Sequence, residues 1–162
     1  MNKLEIYEYL TSKGIPFDIV DHPAVYNMAE VLEADLPEPE TWAKNLFLRD
    51  KKKQHYYLLT LRDEKRADLK AFAAYVGATQ VRFASENDLK KYLNLTAGSV
   101  SLLGILNDET QKVHVYIDSY FEGRRISVHP NDNTASIYLN CDALVALLKE
   151  HGNPVAYIDT DW

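Results

Sequence analysis

The chain contains one cysteine, Cys141, so it cannot close an internal disulfide, and nothing in its composition calls for an oxidising compartment. No apolar run approaches the roughly 18 residues that a membrane helix needs. The opening residues, Met1 to Tyr7, lack the hydrophobic region of a signal peptide. There is no cysteine pair, no HExxH, and no two of the five histidines stand at helix-ligand spacing, so no metal site is expected. Without a Walker loop or a GxGxxG, nothing points to a triphosphate or a dinucleotide. No nucleophile elbow or caspase-like signature is present. Cys141 stands at a helix start, where a thiol can be acidified, although a lone cysteine also serves as a small apolar filler. These absences predict a cytoplasmic protein with no membrane contact, no metal and no cofactor.

What is present suits a globular domain. The 162 residues are 46% hydrophobic and 26% charged, enough for a single domain over 1–162 with its own core. The net charge of −6 argues against wholesale binding of nucleic acid. The charge is uneven, however. From Lys44 to Lys70 nine basic residues face four acidic ones, a local +5 that leaves −11 for the rest. Such a patch on an acidic body can meet a polyanion at one place, and a solvated hairpin tip accounts for it equally well.

Helix and strand signals alternate. Asn2 opens a helix with Leu4, Tyr7 and Leu10 on one face, ended by Gly14 with Pro16 beyond it. Phe17 to Val20 reads as a strand. Asn27-Met-Ala-Glu30 is a capping-box pattern for a second helix, and Leu36 to Glu40 is a turn. Leu46 to Leu48 and Tyr56 to Leu61 are strands flanking the basic turn. Asp68 to Val76 is helical, with Gly77 as its C-cap. Val81 to Ala84 is a short strand, and Ser85 caps another helix. Gly98 to Gly104 is a glycine-bounded loop. Val113 to Ile117, Arg125 to His129 and Ser136 to Leu139 are strands. Asn140 or Asp142 caps a last helix to about Glu150, and Val155 to Ile158 is a final strand. Mixing without strict βαβ alternation predicts an α+β fold around a mixed, largely antiparallel sheet with flanking helices.

Three segments could carry chemistry. Lys44-Asn45 places a cation and an amide at the mouth of an apolar strand, where a lysine is ordinarily a solubility device. The stretch Gly98-Ser99-Val100-Ser101-Leu102-Leu103-Gly104 can aim backbone N–H groups at an anion or a developing oxyanion, although most such loops are plain turns. His129-Pro130-Asn131-Asp132-Asn133-Thr134 is dense in turn formers and reads as a tight connection with Asx turns. The histidine at its lip can hydrogen-bond a ligand or serve structure alone.

Taken together and in this order, Lys44-Asn45-Leu46-Phe47-Leu48, Gly98 to Gly104 with Leu106-Asn107-Asp108 after it, and His129 to Ala135 resemble the YbaK/ProX superfamily of aminoacyl-tRNA editing domains, nearest to its freestanding ProX type. The resemblance runs from Tyr7 to about Leu148. It implies a YbaK-like α+β fold and a trans-editing hydrolase that deacylates mischarged aminoacyl-tRNA(Pro), with alanine as the amino acid removed. It also implies that Lys44 is the essential residue and meets the backbone of the tRNA end. Asn45 and His129 would hold the terminal adenosine and substrate, and the loop residues Gly98, Ser99, Val100 and Ser101 would surround the ester. Selectivity would rest on a small pocket that excludes proline by size, with Val31 as a wall. The implied partners are the acceptor end of tRNA(Pro) and prolyl-tRNA synthetase. The chain departs from the family at Leu102, where a proline is usual. Two other readings stand beside this one: a deacylase for cysteine or serine, and an RNA- or synthetase-binding member of the same fold with little catalysis.

Overall fold

Tyr56 to Leu61 are six consecutive buried residues, the mark of a strand covered on both faces. In the computed structural model, which describes residues 1–24 and 36–162, this strand is the centre of the larger of two sheets. The strands are β1 (Phe17–Asp21), β2 (Ala43–Asp50), β3 (Tyr56–Arg62), β4 (Val81–Phe83), β5 (Val113–Asp118), β6 (Arg125–Val128), β7 (Ala135–Asn140) and β8 (Val155–Ile158). The five-stranded sheet has the order β4-β2-β3-β5-β8, and the three-stranded sheet the order β1-β7-β6. Among the described residues only the β3–β5 and β5–β8 ladders are parallel. The other four are antiparallel, so the largely antiparallel character expected from the sequence holds, but it is divided between two sheets.

Side chains alternate across each strand, so the larger sheet serves two cores. On one face Phe47, Tyr56, Leu58, Val113 and Val115 pack toward Ile126, Val128, Ile137 and Leu139 of the smaller sheet. On the other face Leu48, Tyr57, Leu59 and Leu61 pack against Phe72 and Ala73 of the helix α2 (Leu69–Val76). The Phe72 ring meets Tyr57 and Tyr116 edge-on, with centroids 5.5 and 5.4 Å away.

Helix ends follow local chemistry. The helix α1 (Lys3–Ser12) opens on a full capping box between Asn2 and Glu5. Asp68 caps α2, Ser85 caps α3 (Glu86–Leu93), and Asn140 caps α4 (Cys141–His151). Asp142 is therefore not the cap; its carboxylate accepts from the Gly123 N–H and the Tyr157 hydroxyl instead. Gly77 ends α2 and Gly152 ends α4, both in the left-handed region. The face of α1 differs from expectation. Ile6 and Leu10, one turn apart, are buried, while Leu4 is 67% exposed. The capping-box pattern at Asn27 to Glu30 lies outside the described residues.

The stretch expected as a loop from Gly98 to Gly104 is built of two 3-10 turns, Ala97–Ser99 and Leu102–Asn107. Ser101 caps the second, accepting from the Leu103 N–H at 3.1 Å. Leu102 stands at the first position of that turn, where a proline is compatible with the backbone, and its side chain is fully buried. Gly104 is required by close approach: a Cβ there would lie 2.5 Å from Leu95 Cδ1.

Candidate functional site

The antiparallel pairing of β2 with β3 sets Lys44 opposite Leu61 and Asn45 opposite Thr60 without a bulge. Consecutive strand residues point to opposite faces. Asn45 therefore faces the core between the sheets, with Phe47, and its Oδ1 accepts from Thr60 Oγ1 at 2.6 Å. Its amide nitrogen has no hydrogen-bond partner among the described residues. Lys44 starts from the other face, with Leu46 and Leu48, and its charge acts on Asp63. Burial pushes the Asp63 carboxyl up, and Lys44 opposes that. Among the described residues no carboxylate lies within ion-pair distance of Lys44.

Beside Asn45 lies a groove of about 210 Å³, lined by Asn45, Phe47, Leu89, Ala97 and Val100 among others. It joins the lysine–asparagine strand to the glycine stretch. The Ser99 N–H is already bonded to Thr96 O at 3.0 Å, whereas the Val100 N–H pairs with no described backbone carbonyl. Ser101 is fully buried, and its hydroxyl donates to the His129 carbonyl at 2.5 Å. That bond ties the glycine stretch to the histidine turn. The Ser101 hydroxyl is thus buried and engaged, not exposed.

At the turn, His129 Nδ1 lies 3.0 Å from the Ala135 carbonyl. A carbonyl only accepts, so Nδ1 carries the proton and Nε2 is left as an acceptor. Burial lowers the pKa of this imidazole, and the Ala135 carbonyl and Asp132 oppose that only in part. The ring is therefore neutral at physiological pH. The turn itself is the Asx structure expected: Asp132 Oδ1 accepts from the Thr134 N–H at 2.8 Å, and Asn131 takes a left-handed φ of 60°.

The structure adds His22, which the sequence pattern did not single out. The β1–β7 register continues with His22 N donating to Thr134 O at 2.9 Å, which brings the His22 ring 6.2 Å from that of His129. His22 Nε2 also lies 2.9 Å from Ser136 Oγ. Only the pairing of strands over a hundred residues apart reveals this neighbour. Val31, the expected pocket wall, lies outside the described residues. Cys141 is fully buried, and burial pushes its thiol up to about 11, so it is a core filler and not a nucleophile.

Asn45, Val100, Ser101 and His129 thus form one connected arrangement, with Lys44 one residue away on the far face of β2. A model of the aminoacyl-tRNA editing domain matches residues 22–147. The chain is 40% identical to the prolyl-tRNA editing protein ProX of Acetoanaerobium sticklandii, over 97% of this chain and 96% of that protein. It is 26% identical to the mouse (Mus musculus) prolyl-tRNA synthetase associated domain-containing protein 1, over 98% and 96% of the two chains. In structure it resembles a candidate trans-editing enzyme for prolyl tRNA synthetase, with a TM-score of 0.72 and 21% identity over 97% of this chain and 96% of that one.

Proposed function

The chain belongs to the aminoacyl-tRNA editing domain family, and from that premise we propose that it is a trans-editing aminoacyl-tRNA deacylase: it hydrolyses the ester of mischarged tRNA(Pro), with alanine as the amino acid removed. The observation that carries this reading is the groove at Asn45, which is small and mostly apolar and is bounded by an amide and a loop edge. A small aminoacyl group fits such a space; the selectivity proposed with it is rejection of proline by size, which discriminates more strongly than a lost methylene.

The reaction needs no side-chain nucleophile, because an aminoacyl ester is already activated. Water attacks the ester carbonyl, the carbonyl oxygen takes up negative charge, and the C–O bond to the ribose breaks to release the free amino acid and the ribose hydroxyl. Holding water and ester together supplies several kcal/mol. A donor aimed at the oxyanion is worth about 3 to 4 kcal/mol, and the Val100 N–H at the groove edge is the group suited to that role. Gly98, Ser99 and Ser101 shape and anchor the loop that presents it. His129 Nε2, unprotonated, accepts a hydrogen bond from a ribose hydroxyl, and the Asn45 amide donates to the terminal nucleotide or the substrate. Lys44 stands at the open end of β2. A strand end that passes there meets Asn45 on one face and the Lys44 ammonium, a compact phosphate ligand, on the other. The reading makes the acceptor end of tRNA(Pro) the partner, prolyl-tRNA synthetase an associated protein, and the cytoplasm the place of action. No described helix is long and apolar enough to cross a membrane.

The test is a panel of esters on one tRNA(Pro). The wild type should release alanine at least ten times faster than proline. Faster release of cysteine or serine would reassign the amino acid. Binding of the tRNA without release from any ester would make the chain a binding member of the family.

A further inference from the structure

An aminoacyl ester presents three handles to a protein: a carbonyl, a side chain and an α-ammonium. The Val100 N–H and the apolar walls of the groove answer the first two. The third is a cation. Among its described lining residues the groove has one ionisable group, the carboxylate of Glu86.

Local structure places that carboxylate. The chain leaves β4 at Phe83, and the Ala84 N–H donates to the Phe47 carbonyl at 2.9 Å, which fastens the segment to β2 two residues from Asn45. Ser85 then caps α3, its hydroxyl accepting from the Asp88 N–H at 3.1 Å. Glu86 is the first residue of α3, and Leu89, three positions on, shares its helix face. Leu89 is buried and lines the groove as well, so that face is turned toward Asn45. Glu86 itself is exposed and forms no ion pair among the described residues. Lys90, four positions on, is the usual helical partner of a glutamate, yet it is not within ion-pair distance. The negative charge at the groove is therefore uncompensated.

A carboxylate in a site for an RNA end repels the incoming phosphates, unless it meets a cation there. We propose that Glu86 receives the α-ammonium of the aminoacyl ester through a charge-assisted N–H···O hydrogen bond, while Asn45 and Val100 engage the rest of the substrate. The proposal rests on the editing reading and deepens it. Glu86 sorts esters by the charge on the α-substituent: a cationic amine is accepted, and a neutral α-hydroxyl or N-acylated amine is disfavoured. The nitrogen of proline is cationic too, so Glu86 does not separate alanine from proline, and that discrimination stays with size. Once the amino acid departs, the carboxylate faces the RNA without its cation, which weakens the hold on the product.

The experiment compares L-alanyl-tRNA(Pro) with L-lactyl-tRNA(Pro), in which a neutral hydroxyl replaces the ammonium, at about pH 6.5, where an α-amino group is protonated. The proteins are the wild type, E86Q and E86D. Binding is measured in parallel with two non-hydrolysable amides, 3′-(L-alanylamino)-3′-deoxyadenosine and its L-lactylamino counterpart. E86Q should raise KM for the alanyl ester at least about fivefold with kcat little changed, the pattern of lost uniform binding. KM for the lactyl ester should not move, and E86D should keep most of the preference for the alanyl ester. The wild type should bind the alanylamide at least about fivefold more tightly than the lactylamide, and E86Q should bind the two alike. An E86Q that keeps the wild-type preference for alanyl over lactyl ester would overturn the proposal, as would an equal rise in KM on both esters in E86Q and E86D. If the wild type hydrolyses neither ester, the editing reading fails, and the amides still decide the role of Glu86: equal wild-type affinity for the two would overturn it.

Discussion

Ser101 and His129 are joined by a single hydrogen bond, and both are predicted to matter through position. Ser101→Ala removes the donor to the His129 carbonyl and the cap acceptor of Leu103. It should cost about 1 to 2 kcal/mol in denaturant unfolding and slow deacylation by displacing the histidine turn; an unchanged midpoint would show that the bond does not hold the two segments together. The His129 imidazole has its pKa lowered, so the unfolded chain binds a proton at about pH 6.5 where the folded chain does not. Stability therefore rises with pH across the window between the lowered value and about 6.5, and is lost as pH falls through it. A titration of the His129 ring followed by NMR should give a midpoint below about 6.5. A midpoint above it would mean that the ring is charged near neutrality and that Nε2 is not an acceptor. Leu102 belongs to the same scale. The proline usual in the family and the leucine here are both compatible with the first position of a 3-10 turn, and leucine adds a fully buried side chain.

At the scale of elements, the strongest local signals were read from the sequence directly. Asn2 and Ser85 cap helices, and Gly77 and Gly152 end them, because a cap depends on residues three or four positions apart; Asp68, expected as the first helical residue, is the cap of α2. The start of β2 was not legible in the same way. Its apolar run suggests a strand from Leu46, with Lys44 and Asn45 at its mouth. The strand begins at Ala43 because it pairs with β3 as far as Arg62, and alternation then sends the two side chains to opposite faces. The neighbourhood of His22 and His129 depends on the β1–β7 register and could not be read locally. The outward turn of Leu4 on α1 is a matter of docking, since Ile6 and Leu10 form a competing apolar pair one turn apart. The helix α2 supplies the clearest energetic test of the layered fold. Phe72 is fully buried against Tyr57 and Tyr116 on the far face of the large sheet. Phe72→Ala should cost about 3 to 5 kcal/mol in equilibrium unfolding, and a cost under about 1 kcal/mol would mean that this layer contributes little to the core.

For the molecule as a whole, the uneven charge has a structural counterpart. The acidic body keeps general affinity for nucleic acid low, the editing groove lies at one part of β2, and Arg49 faces Arg82 at its far end. A protein that must touch an aminoacylated end and release it is served by a few phosphate contacts, whose effect on affinity is set by salt. Lys44 is the residue on which this account turns, because it is the neighbour of Asn45 at the start of β2, on the face opposite the groove, and no described carboxylate lies within ion-pair distance of it. The most direct measurement is single-turnover hydrolysis of alanyl-tRNA(Pro) by the wild type and Lys44→Ala at matched stability. The account predicts that the variant stays folded and loses at least about 100-fold in rate, the scale expected when a reacting group is no longer held in place. A variant that hydrolyses the ester as fast as the wild type would contradict it.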